Sequence, residues 1–298
     1  MDRWQAMRVY VKVAETGSFA EAGRQLHMSP PAVTRAIATL EDLIGVRLLT
    51  RTTRSVKMTE AGTRYFEDCR RILADIVDAE ASAAGSHANP TGTLTVTAST
   101  MFGRIYVLPV LLDYLDRHPA VTGRSLFVDR IVNIVEEGID VAVRIGHLPA
   151  SGLSAIKVGT IRRVICAAPA YLDRHGIPQT PADLAEHRII APTGAWTSPE
   201  WQFGTVKKTS VTVRPRLQCN TIDAAIAAAE QGWGLTRVLS YQIGPALLEG
   251  RLQTVLTEHE EAPMPIHVVH AEGRRATAKV RAFVDIAVEQ LRANRLFN

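Results

Sequence analysis

Ser18-Phe19-Ala20-Glu21-Ala22-Gly23-Arg24-Gln25-Leu26-His27-Met28-Ser29-Pro30-Pro31-Ala32-Val33-Thr34-Arg35-Ala36-Ile37-Ala38-Thr39-Leu40-Glu41 is the stretch that decides the fold. It reads as a helix, a tight turn and a second helix. Ser29 suits an N-cap, because its hydroxyl can accept from an orphan backbone N–H at a helix start. Pro30 and Pro31 then take the first two helical positions, where a missing N–H costs little. From there the apolar residues recur at Val33, Ile37, Leu40 and Ile44, one helical stripe that should face a core. Thr34, Arg35 and Ala38 lie on the other side. Such a face fits a DNA major groove: Arg can bind guanine through two hydrogen bonds, and Thr or Ala can meet a thymine methyl. Taken alone, the helix serves equally well as a core helix with a solvated outer face.

The segment that follows, up to Thr59-Glu60-Ala61-Gly62, favours the groove. Between Leu43 and Thr59 stand Arg47, Arg51, Arg54 and Lys57 and no acidic residue. Arg51-Thr52-Thr53-Arg54-Ser55-Val56-Lys57 reads as strand, turn and strand, a wing suited to phosphate contacts and to an Arg in the minor groove. In this pattern the chain resembles the LysR-type transcriptional regulators, whose N-terminal domain is a winged helix-turn-helix. The match runs without a gap through Ala20, Ala22, Leu26, Ser29, Pro31, Ala32, Val33, Arg35, Ile37, Leu40, Glu41, Gly45, Leu48, Arg51, Arg54, Thr59, Ala61 and Gly62. The resemblance implies Ser29, Pro30, Pro31, Thr34, Arg35, Arg51 and Arg54 as the DNA-contacting set. Pro30 departs from the family, which often has Gln there, so this chain has no side-chain amide to offer at that position; Thr34 replaces the usual Ser and keeps its hydroxyl.

The 298 residues allow two or three domains of roughly 100–150 residues. The net charge of +4 is unevenly placed. Residues 1–64 hold ten Lys/Arg against six Asp/Glu, and the remainder holds 24 of each. The excess therefore sits on the segment just described, which favours a polyanion as the partner of one domain only. No apolar run approaches the ~18 residues of a membrane span. Met1-Asp2-Arg3-Trp4-Gln5 has no apolar signal core, so the expected location is the cytoplasm. Cys69, Cys166 and Cys219 are far apart and show no zinc spacing, so neither a metal nor a cofactor is expected.

Outward from the decisive stretch, Trp4, Met7, Tyr10, Val11 and Ala14 predict a helix behind the first two, ended at Thr16-Gly17. From Glu60 to about Gly85, a heptad seam runs through Gly62, Tyr65, Cys69, Ile72, Ile76, Ala79 and Ala83. A long helix with one apolar seam calls for a partner helix from a second copy, and Ile72, Ile76 and Ala79 are the expected dimer contacts. The resemblance implies the same use of a linker helix, with a homodimer or homotetramer as the assembly. Ser86–Gly92 is a small, polar, Pro- and Gly-containing hinge.

Strands and helices alternate from Thr93 onward. Strands are expected at 94–98, 125–128, 140–146, 163–169, 188–191, 216–219 and 266–270. Helices are expected at 103–118, 133–137, near Tyr171, at 183–187, 222–230 and 240–249, and from Arg274 to Arg292. Such alternation predicts parallel sheets covered by helices. Glu136-Glu137-Gly138-Ile139-Asp140-Val141-Ala142-Val143-Arg144-Ile145-Gly146 and Asn220-Thr221-Ile222-Asp223 extend the family resemblance more loosely. The fold class expected is α/β: a winged helix-turn-helix (1–62), a linker helix and hinge (63–91), and a regulatory domain (92–298). That domain should form two α/β subdomains like a periplasmic solute-binding protein, lobe one being 92–163 with 268–298 and lobe two 164–267.

In open α/β sheets a ligand sits at the carboxyl ends of the strands, where strand order switches. Ser99, Thr100, His147, Trp196, Asn220 and Thr221 fall at such ends, though Ser, Thr and Asn at these joints also serve as ordinary caps. Hydroxyls, an amide, a histidine and an indole suit a small carboxylate effector. Besides double-stranded DNA, that effector and a second copy, RNA polymerase is an expected partner. An enzyme is the rival reading, but G-x-S-x-G, H-E-x-x-H, Walker and G-x-G-x-x-G elements are missing from the sequence. The basic N-terminal segment argues against a transport component that only binds solute.

Overall fold

The computed structural model describes residues 2–51, 56–83, 89–193, 198–206, 208–271 and 276–297. Its contacts divide the chain into two units, Met1–Ala88 and Asn89–Asn298.

The first unit opens with α1 (Arg3–Thr16), whose first turn is capped by Asp2 and which ends on Gly17 at φ +61°. Next comes α2 (Phe19–Gln25), where the Ser18 side chain accepts from the Glu21 N–H. After a turn comes α3 (Pro30–Ile44), with Ser29 at the N-cap position and Gly45 closing the helix at φ +77°. Ser29 makes no side-chain cap, contrary to expectation. The reason is local: Pro31 has no N–H to offer, and the Ala32 and Val33 N–H groups already go to the Ser29 carbonyl. The stripe holds, since Val33, Ile37 and Leu40 are buried with Tyr10, Val13 and Leu48. The wing is an antiparallel pair, β1 (Leu49–Arg51) and β2 (Val56–Met58). Its tip, with Arg54, lies outside the described residues.

From the wing the chain enters α4 (Glu60–Ala83). Gly62 is required here, because a Cβ would stand 2.0 Å from the Leu48 carbonyl oxygen. The Tyr10 hydroxyl donates to the Gly62 carbonyl at 2.7 Å. Cys69 is buried with α1, and Tyr65, Phe66 and Leu73 pack on the same core. The N-terminal half of the heptad seam, at Tyr65 and Cys69, is therefore used within its own unit. Further along, Ile72 is 39% exposed and Ile76 is half-buried; the Ala79 side chain lies outside what is described.

In the second unit, β3 (Gly92–Ala98) leads into a helical run built from α5 (Thr100–Phe102), a π turn (Gly103–Val107) and α6 (Leu108–Arg117). This run starts three residues before the expected helix. Then come β4 (Val121–Phe127), β5 (Val141–Ile145) and β6 (Ser154–Ile161). Residues 133–137 form hydrogen-bonded turns ending at Gly138 and not a helix; the Asn133 side chain accepts the Val135 and Glu136 N–H groups. Beyond β6 the order is β7 (Arg163–Ala167), α7 (Pro169–His175), a 3₁₀ turn (Pro181–Glu186), β8 (Ile189–Pro192), β9 (Glu200–Phe203), β10 (Thr209–Thr212), β11 (Pro215–Cys219) and α8 (Ile222–Glu230). The chain closes with β12 (Leu235–Leu239), α9 (Gly244–Leu248), β13 (Gln253–Val255), β14 (Met264–His270) and α10 (Ala278–Ala293).

Two five-stranded sheets result, ordered β4-β3-β5-β14-β6 and β11-β8-β12-β7-β13, plus the β9–β10 hairpin. Both sheets are mixed, not purely parallel. β3 runs parallel to β4 and β5 while β14 is antiparallel to β5 and β6; β12 is antiparallel to β7. All of β14, from Met264 on, pairs in the first sheet, so 264–267 belong to lobe one and the expected boundary at 268 moves back. One core joins the lobes: Val96, Val143, Tyr114 and Phe283 pack in one cluster with Val164, Cys166 and Val238.

Candidate functional site

On the first unit, the outward side of α3 presents Ser29, Pro30, Pro31, Thr34, Arg35, Ala38 and Thr39, all exposed. Their opposite neighbours Val33, Ala36, Ile37 and Leu40 are buried, so the helix can meet a ligand surface only with this face. In the wing, Thr50 stands across from Lys57 and both are exposed. Arg51 pairs with Val56 through its backbone, and its side chain lies outside what is described.

Glu41 links the two elements and has no counterpart among the expected site residues. Its side chain is buried in the last turn of α3, where the helix dipole disfavours a negative charge. One oxygen accepts the Leu48 N–H (2.8 Å) and the Leu49 N–H (3.1 Å), and the other accepts from Arg47 (2.8 Å). Burial pushes its pKa up, but those N–H groups and the Arg47 guanidinium outweigh it and hold the carboxyl below the usual range. A buried carboxylate thus fastens the helix to the first wing strand. An acid in the last turn of a helix, followed closely by a basic residue, is the only cue to this role in the sequence.

In the second unit, Ser99 and Thr100 stand at the carboxyl end of β3, and His147 stands just past β5, its parallel neighbour. The Thr100 N–H donates to an Asp129 carboxylate oxygen at 3.0 Å, and its hydroxyl donates to the Phe127 carbonyl at 3.4 Å. The Ser99 side chain faces the buried phenol of Tyr241 from lobe two. Burial raises the Tyr241 pKa to about 12, so it stays a neutral hydroxyl. Phe102 and Tyr106 meet the same ring edge-on, with centroids 5.2 and 5.8 Å away. Asn220 and Thr221 occupy the carboxyl end of β11 in the second sheet, both exposed. Thr221 caps α8 through the Ala224 N–H at 3.3 Å, so the ordinary capping role is realised there. Trp196 lies outside the described residues. Each lobe thus gathers its own candidates at one strand edge; Asp129 joins the lobe-one group and Tyr241 meets it from lobe two, and sequence reasoning misses both. The described residues contain no group of three His, Cys, Asp or Glu able to hold a metal. Among them no helix is long and apolar enough to cross a membrane.

Two family descriptions match this architecture: the bacterial regulatory helix-turn-helix protein of the lysR family over residues 4–63, and the LysR substrate binding domain over 87–292. The chain belongs to the LysR-type transcriptional regulators, DNA-binding proteins with an effector-binding domain. An HTH-type transcriptional regulator of Haemophilus influenzae is 31% identical over 94% of this chain and 98% of its own. CrgA of Neisseria meningitidis, a LysR-type transcriptional regulator, has a solved structure with a TM-score of 0.62, 29% identity, and coverage of 97% of this chain and 99% of that one. Full-length AphB, a virulence activator of Vibrio cholerae, shares the fold at a TM-score of 0.62 and 22% identity, over 96% of this chain and 98% of its own.

Proposed function

We propose that this regulator reads DNA bases with Thr34 and Arg35, steadied by Ser29, Pro30 and Pro31, and reaches backbone or minor groove with Arg51 and Arg54. The observation that carries the reading is the exposed Thr34/Arg35 side of a helix whose opposite residues Val33, Ala36, Ile37 and Leu40 are buried. Residues 1–62 serve as the DNA-binding domain, 63–91 as linker helix and hinge, and 92–298 as the regulatory domain. Ile72, Ile76 and Ala79 join two linker helices in a homodimer, which a tetramer would build on. A small carboxylate binds between the lobes against Ser99, Thr100, His147, Trp196, Asn220 and Thr221. The Asp129 carboxylate on the Thr100 N–H supports an anion at that position, which the effector would take over. Because Ser99 also touches Tyr241 of lobe two, such a ligand can favour one lobe arrangement over another. A changed lobe angle in the assembly alters the spacing of paired winged helices, which read half-sites in register with the DNA turn. The protein acts in the cytoplasm, with RNA polymerase as a further partner.

The deciding experiment is a DNase footprint combined with Arg35→Ala. That change should cost about 1–3 kcal/mol of specific binding and relax preference at one base position. An unchanged ratio of specific to nonspecific affinity would show that another surface reads the bases.

A further inference from the structure

The chain passes from the first sheet to the second between Ile161 and Arg163, and returns between His259 and Met264. These two passages connect the lobes and are the place for a hinge between them. Each carries a consecutive pair of charges of one sign: Arg162-Arg163 on the outward passage and Glu260-Glu261 on the return. The pairs face each other rung by rung. One Arg162 nitrogen donates to both Glu260 oxygens, at 3.0 and 3.1 Å. Arg163 donates to Glu261 at 3.0 Å.

The second rung has a third member. Arg237, on β12, donates to the same Glu261 oxygen at 2.5 Å. Its side chain is only 10% exposed and lies over the rings of Trp201 (5.4 Å) and Phe203 (5.9 Å) from β9. One carboxylate therefore holds the outward passage, the central region of lobe two and the β9–β10 hairpin at once. The backbone reinforces the outer rung, since the Ser240 N–H donates to the Arg162 carbonyl at 2.9 Å.

We propose that these pairs form an ion-paired latch across the hinge, with Glu261 as the positioning residue, and that it sets how readily the lobes change their angle when an effector binds between them. The proposal rests on the reading of an effector site between the lobes. Partly buried charges are screened by salt far less than exposed ones. Any rotation that slides one passage along the other separates both rungs together, and leaves Arg163 and Arg237 facing each other without their shared counter-charge. The outer rung is the softer one, because Arg162 is 52% exposed.

The test is amide hydrogen exchange on the full chain, without effector. Glu261→Gln should speed exchange at 162–164 and 259–264 roughly tenfold while leaving β3 unchanged, because local opening is what the latch restrains. Charge reversal tests the outer rung independently of whether that variant folds. Arg162→Glu and Glu260→Arg should each speed exchange there, and the two together should return it to within about threefold of the parent. Unchanged exchange in Glu261→Gln, or a double reversal no better protected than its single variants, would overturn the latch. Faster exchange with an unchanged footprint would keep the latch and overturn the reading that lobe movement reaches the DNA.

Discussion

Removing the Glu41 carboxylate isolates the join between α3 and the wing. In Glu41→Ala the Leu48 and Leu49 N–H groups lose the carboxylate oxygen they share, at residues 1% and 6% exposed. A buried donor without an acceptor costs about 1–3 kcal/mol, so the two together cost about 2–6 kcal/mol. The Arg47 pair adds little, because that side chain is 82% exposed and returns to water. Glu41→Gln keeps one oxygen for both N–H groups and removes only the charge, at a cost of about 1–2 kcal/mol. The first unit can be read apart from the second through urea-dependent hydrogen exchange at α1 and α3 amides. Acid should act like the Gln variant. The folded carboxyl lies below its ordinary value, so its contribution is complete above the unfolded pKa and disappears as pH falls through the folded one. Salt-dependent DNA binding supplies a second measure: a displaced wing should lower the slope by about 0.9 for each phosphate it no longer reaches. The reasoning is refuted if Ala costs no more than Gln, for then the two N–H groups find other partners at no cost.

Ile76→Asp should split the dimer, since a charge in an apolar helix seam is costly unless paired; light scattering at low micromolar protein checks it, and an intact dimer would rule the seam out. Thr100→Val removes a hydroxyl with little change of shape, and should abolish the response to a bound carboxylate while effector-free DNA binding stays nearly the same. Calorimetry on any carboxylate hit reads this directly, and unaltered affinity would place the pocket elsewhere. Phe297→Ala should destabilise the second unit by about 3–5 kcal/mol. That ring is 1% exposed and lies 4.8 Å from Tyr106 and 5.5 Å from Phe102, so a small shift on denaturation would mean the neighbours collapse into the space.

The sequence by itself determined the winged unit. Ser18, Gly17, Gly45 and the stripe at Val33, Ile37 and Leu40 act within a few residues, and periodicity and capping are local properties. The same holds for α4, α8 and most strands at strand-to-helix joints. Tertiary structure alone decided the rest. The strands at 154–161, 200–203, 209–212, 235–239 and 253–255 carry no local signature, because their pairing partners are distant in the chain and strand formation depends on those partners. Whether α4's seam faces its own α1 or open surface depends on Leu48 and Tyr10 approaching Gly62, which no spacing encodes. Ser29 lacks its expected cap because Pro31 has no N–H and the Ala32 and Val33 N–H groups go to its own carbonyl. Among the candidate site residues, the exposure of Thr34 and Arg35 is legible because a helix face follows from spacing. Glu41, Asp129 and Tyr241 are not, because their roles lie in partners 7, 29 and 142 positions away that only folding brings within hydrogen-bond reach.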